Sequence, residues 1–142
     1  NVTSLKDTFV QLQAMQGASL VGRDVIVPGN RLDIDAGVGQ GGFELESAAD
    51  RVRVEILSGA GKVVDTIELG AQSSGLHGFD WPVGTHTDGQ SFRVVATSGS
   101  VSKSVTALMR DHVDAISTSG TGFRLELAHT GSTAYGAVRA FN

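Results

Sequence analysis

Residues 37–42 read GVGQGG. The G-x-G-x-x-G spacing is that of a dinucleotide-binding turn, where bare backbone approaches a pyrophosphate. That chemistry needs a strand before the glycines and a helix after them. The helix N-terminus supplies the free N–H groups and the positive dipole end that hold the phosphates. Here the next residues are Phe43-Glu44-Leu45-Glu46, which alternate with period two as a strand does. The glycines are therefore read as a flexible joint between two strand-like segments, a hinge between β-modules.

Other reactive residue types are thinly spread. Ser74, His77 and Asp80 have the composition of a catalytic triad but sit in one short loop, without a G-x-S-x-G elbow or an oxyanion loop. His86 and Asp88 share a glycine-rich turn, whereas a metal site needs three or four ligands with supporting partners. Asp33 and Asp35 share one strand face and lack the rest of a calcium loop. Paired carboxylates for glycoside hydrolysis come from distant segments, and nothing singles out a pair. No catalytic residue, cofactor or metal is expected. Trp81 is the single tryptophan, two residues from Phe79 on the same strand parity. Phe79 and Trp81 are expected to anchor a core; the competing reading makes Trp81 an exposed sugar platform.

Bulk composition narrows the classes. The net charge of −4 disfavours nucleic acid as a partner. No apolar run reaches the roughly 18 residues of a bilayer-spanning helix, so membrane insertion is not expected. The absence of cysteine removes disulfides, thiolate metal sites and thiol nucleophiles. The chain begins with Asn1 and is read as a fragment of a longer protein.

The elements that must position these residues are mostly strands. Residues 2–16 form the exception: they lack Gly and Pro, and Val2, Leu5, Phe9 and Leu12 recur at helical steps. The stripe is narrow, like a seam, and Gly17 is a plausible stop. It is read either as a helix docked on its own domain or as the tail of a longer helix that pairs with another chain. After residue 19, strand signals recur. Val52, Val54 and Ile56 alternate with Arg51, Arg53 and Glu55, and Ser58-Gly59-Ala60-Gly61 supplies a turn. On the return strand Asp65 shares the parity of Val63, Ile67 and Leu69, so that strand bulges or lies at an edge. VSKSVTALM and HVDAISTS are read as separate strands, and Phe123, Leu125 and Leu127 alternate near the end. Short strands separated by turn signals indicate a sandwich or barrel.

In this order the segments resemble the C-terminal region of the flagellar hook-assembly (hook-cap, FlgD) family. The resemblance rests on Gln16-Gly17-Ala18-Ser19-Leu20-Val21-Gly22-Arg23, on the hairpin around residues 61–70, on Gly75, Phe79 and Trp81, and on the strand pair beginning near Val105-Thr106. Pro82 and Val83 replace the usual Asp and Gly, and Phe92 stands where Tyr is frequent. The resemblance implies a mainly β fold: a small SH3- or tudor-like barrel from 19–38 and 105–142, a fibronectin-III- or Ig-like sandwich inserted at 39–104, and an N-terminal helix over 1–18. It implies a non-catalytic scaffold that caps the growing hook and guides hook-protein subunits. Such a scaffold is exported by the flagellar type III pathway to the distal tip and meets the export apparatus through an N-terminal part outside this sequence. Self-association is assigned to Val2, Leu5, Phe9 and Leu12. Two rival readings are a carbohydrate- or surface-binding module built on Trp81 and a peptide-reading SH3- or tudor-like module. The second needs an aromatic cage that six Phe, one Trp and one Tyr, mostly claimed by cores, would scarcely supply.

Overall fold

The computed structural model describes residues 2–119 and 122–141. In chain order the elements are helix α1 (Val2–Ala18) and strands β1 (Asp24–Pro28), β2 (Asp33–Asp35), β3 (Val38–Leu45), β4 (Ala49–Ser58), β5 (Val63–Gln72), β6 (Gly75–Pro82), β7 (Gly89–Ser98), β8 (Val101–Ser104), β9 (Thr106–Ser119), β10 (Gly122–Leu127), β11 (Gly131–Ala134) and β12 (Ala140–Phe141). A short 3-10 turn, Tyr135–Ala137, precedes β12. The chain divides into two compact units, one of residues 1–27 and 110–142, the other of residues 28–109.

In the 28–109 unit, β4 buries Val52, Val54 and Ile56 and turns Arg51, Arg53 and Glu55 outward. It pairs with β5 and β7, and β8 completes a four-stranded sheet of order β5-β4-β7-β8. A second layer is centred on β3, which pairs along its length with β6. The other edge of β3 is shared by β2 and the first residues of β9. Phe43, Leu45, Phe79 and Trp81 of this layer share one core with Val52, Val54, Ile56, Phe92 and Val94. The Phe79 and Phe92 rings meet edge to face, 4.9 Å apart at 76°, the geometry that ring quadrupoles favour.

The observed division moves the expected boundaries. Residues 28–38 belong with 39–109 because their bonds lie there. Leu32 N–H donates to Gln90 O (3.1 Å), Phe92 N–H donates to Asn30 O (3.0 Å), and Leu32 is buried in the shared core. The return falls at Met109/Arg110 rather than at Ser104, partway along β9. That strand runs unbroken for 14 residues where two strands were expected.

In the other unit the sheet runs β11-β10-β9-β1-β12. Val25, Val27, Val113, Phe123, Leu125 and Leu127 are buried. Among the described residues the outer strands β11 and β12 do not pair, so the sheet is open and not the closed barrel expected. Helix α1 runs past Gly17. That glycine is buried, and a Cβ there would collide with the Phe123 ring; it is a contact point between helix and sheet rather than a stop.

The glycine run also differs from the expected hinge. Ala36 (φ 51°) and Gly37 (φ 81°) form a two-residue turn joining β2 to β3, with Asp35 opposite Val38. Consecutive positive φ values are the signature of a tight hairpin. The remaining glycines lie inside β3. A Cβ on Gly39 would stand 3.0 Å from the Trp81 ring, and one on Gly41 would stand 2.6 Å from Phe79 and 2.8 Å from Phe92. Bare backbone is needed so that aromatic rings can lie against the strand. Gly41→Ala should therefore lower stability by about 1–3 kcal/mol through overpacking, read as a lower denaturant midpoint at unchanged slope.

Candidate functional site

Phe79 and Trp81 lie inside the 28–109 unit, and Trp81 is only 1% exposed. The indole N–H donates to Asp65 Oδ2 at 2.8 Å. Asp65 sits on the edge strand β5 at inward parity and reaches across to the β6 layer. Its other oxygen, Oδ1, accepts the Thr66 N–H at 2.8 Å. The indole bond, then the Thr66 amide, hold its carboxyl below the ordinary carboxylate range; partial burial opposes them and His86 adds a small downward pull. The His86 ring stacks on Trp81 at 6.4 Å. A tryptophan so enclosed offers no face to a sugar, which removes the platform on which the carbohydrate reading stood.

The remaining reactive residues do not converge. His77 Nε2 bonds the Ser73 carbonyl oxygen at 2.7 Å and its ring stacks on Phe43, while Asp80 points outward, so no triad assembles with Ser74. No group of three or more metal-ligating side chains occurs among the described residues. In the other unit Asp111 is buried and accepts four hydrogen bonds, from the N–H groups of His112, His129 and Thr130 and the Thr130 hydroxyl. Burial pushes its pKa up, but those donors together outweigh it and bring the carboxyl below its usual range. This is a structural clamp on the turn after β10, with every oxygen occupied by a protein donor.

What the molecule presents instead is surface. On α1, Val2 (70%), Leu5 (71%), Phe9 (61%) and Leu12 (54%) are exposed, and Met15, which the narrower stripe omitted, is 71% exposed. A cavity of about 280 Å³ opens between the β3–β4 turn (Glu44–Ala49) and β8, with Lys103 on its far wall. The outer face of the four-stranded sheet carries charge. Arg93 Nε donates to Glu55 Oε1 at 2.6 Å, and Arg53 Nε lies 3.6 Å from Glu55 Oε2 without a hydrogen bond. Arg51 lies 3.8 Å from Glu68. The alternation of β4 marked this face as wet; the sharing of one glutamate by two arginines depends on β7, which local sequence could not align.

Comparison with known proteins identifies relatives of this chain. The family model described as the FlgD Ig-like domain matches residues 29–107. The chain is 32% identical over 142 residues to the basal-body rod modification protein FlgD of Escherichia coli (strain K12), covering 89% of this chain and 61% of that protein. It is 30% identical to the protein of the same name in Salmonella typhimurium, with the same coverage. The chain thus spans about three fifths of the length of these relatives. Among solved structures, FlgD from P. aeruginosa superposes with a TM-score of 0.71 at 25% identity, over 87% of this chain and 98% of that one. FlgD from Xanthomonas campestris, described in terms of the hook capping essential for flagellar assembly, gives 0.69 at 24%, over 92% and 99%.

The Trp81–Asp65 bond yields a pH signature. A carboxyl whose folded pKa lies below its unfolded value stabilises the fold above the unfolded pKa and loses that contribution as pH falls through the folded one. Asp65→Asn should cost about 1 kcal/mol at pH 7, at the low end for a charged hydrogen bond because Asp65 is partly solvated. The gap from the unsubstituted protein should narrow below pH about 4, as measured by denaturant titration at pH 7 and pH 3.

Proposed function

The chain belongs to the FlgD Ig-like domain family, and from that premise we propose that it is a non-catalytic scaffold of bacterial flagellar hook assembly. In this reading it is synthesised in the cytoplasm, exported through the flagellar type III pathway and held at the distal tip of the growing hook. There it guides hook-protein subunits into the lattice. The observation that carries the reading is the family match over residues 29–107, with basal-body rod modification proteins as relatives at 30–32% identity. The scattered reactive residues and the exposed apolar helix fit a protein that works through contact surfaces. Residues 28–109 are read as an Ig-like unit inserted along the chain between the two stretches, 1–27 and 110–142, of an SH3- or tudor-like unit, and contact with the export apparatus is assigned to a part of the protein outside this sequence.

Self-association is assigned to Val2, Leu5, Phe9 and Leu12. All four are more than half exposed on a 17-residue helix whose buried end, at Gly17, meets β10. Such a seam loses unfavourable contact with water only when another apolar surface covers it. A cap on a helical lattice calls for cyclic or helical assembly, which repeated copies of one seam can supply.

Deletion of the gene should leave basal bodies without hooks in electron micrographs, and intact hooks of normal length would overturn the scaffold reading. Phe9→Asp should leave the β-sheet circular dichroism unchanged while shifting the sedimenting species toward monomer. Identical sedimentation of the two proteins would remove the helix from that role.

A further inference from the structure

On the outer face of the sheet β5-β4-β7-β8, cross-strand register places Arg53 opposite Val95 and Glu68, and Glu55 opposite Arg93. Three arginines, Arg51, Arg53 and Arg93, thus share the face with two glutamates, in a chain that holds only 11 Lys and Arg against 15 Asp and Glu. The pairing is unequal. Glu55 is committed to Arg93 at 2.6 Å, and its other oxygen stands 3.6 Å from Arg53. The Nε of Arg53 is buried without a hydrogen bond. Arg51 is 68% exposed and only distantly paired. Two guanidinium groups, two residues and about 7 Å apart along β4, therefore meet their own carboxylates only at 3.8 and 3.6 Å, beyond hydrogen-bond distance. Guanidinium is the group best shaped to take one in a two-pronged bond.

The same unit displays the complement. At the β2–β3 hairpin, Asp33 and Asp35 are likewise two residues apart, with Ile34 between them 45% exposed. Their carboxylates enter no ion pair or hydrogen bond among the described residues. The arginine row and the hairpin belong to different sheets of one unit, and among the described residues no ion pair joins them within the chain. We propose that the Arg51–Arg53 row receives the Asp33-Ile34-Asp35 strand, β2 of the β2–β3 hairpin, of a second copy of this chain. The inference rests on the reading of the protein as a self-associating scaffold, and gives that assembly a second, electrostatic contact. Because the two surfaces differ, the contact is head to tail. It propagates around a ring or along a helix instead of closing a two-fold dimer. A strand of three residues buries little area, so the contact is weak and fast to release, and its charges make it sensitive to salt.

The test is sedimentation velocity of the whole chain between low and high salt, for the unsubstituted protein, Arg51→Glu/Arg53→Glu, Asp33→Arg/Asp35→Arg, and an equimolar mixture of the two variants. Circular dichroism confirms that each is folded. The expected result is association that weakens with salt and falls at least about tenfold in either variant alone. It is restored in the mixture, where the reversed charges meet. Should the arginine variant fail to fold, the hairpin variant, altered on the three-residue strand β2, carries the comparison with the unsubstituted protein. The proposal is overturned if the unsubstituted protein shows no salt-sensitive association up to about 1 mM, the weak limit for such contacts. It is also overturned if either folded variant associates as the unsubstituted protein does, or if the mixture of two folded variants fails to recover. Phe9→Asp separates the two contacts. Association lost there but unaffected by the arginine variant overturns this inference and leaves the helix seam standing, whereas the reverse pattern removes the helix.

Discussion

The 28–109 unit depends on how one indole is accommodated. Trp81 lies over the bare backbone of Gly39, and a Cβ at Gly89 would stand 2.6 Å from the same ring. Its N–H, closed off from water, is answered by Asp65 on the opposite layer. A buried indole without an acceptor would forfeit a hydrogen bond that water had supplied. The fold therefore requires a carboxylate at one sheet edge, glycines on two neighbouring segments, and the register that brings Gly39 opposite Trp81. Phe79, two residues earlier, repeats the arrangement against Gly41. Two aromatics on one strand face, each seated on glycine, lock β6 to β3 and both to the layer beyond.

How far this could be read from the sequence depended on whether the cause was local. The alternation of Val52, Val54 and Ile56 with charged residues is a property of one strand and appears in the structure at the same parity. The helix over residues 2–16 was likewise legible, because three- and four-residue spacing is local. Asp65 was visible as an anomaly of parity, and β5 is indeed an edge strand. Its reason lay sixteen residues away in Trp81, beyond what periodicity reports. The glycines at 39, 41 and 42 were misread for the same cause: only cross-strand neighbours tell a packed glycine from a flexible one. Arg110 and Asp111 made β9 look like two strands, since a buried carboxylate is legible only once its four donors are known.

Function followed a similar division. Residue types and spacing singled out no site chemistry and gave no positive statement beyond an apolar helical stripe. Order of segments along the whole chain carried the resemblance, and that order is a global property which single motifs do not hold. The charged sheet face was seen as a wet surface and no more, because its imbalance arises from Arg93, which sits opposite Glu55 only after β4 and β7 pair. Surfaces made of several strands are illegible until the register is known.

Asp65 has one more effect. By accepting the Thr66 N–H, it withdraws a main-chain donor from the open rim of β5, where a stranger's strand could otherwise zip on. At the other rim β8 is only four residues long and carries Lys103, a charge that discourages the same stacking. The residue that secures the tryptophan is thereby also part of the sheet's protection against edge-to-edge clumping.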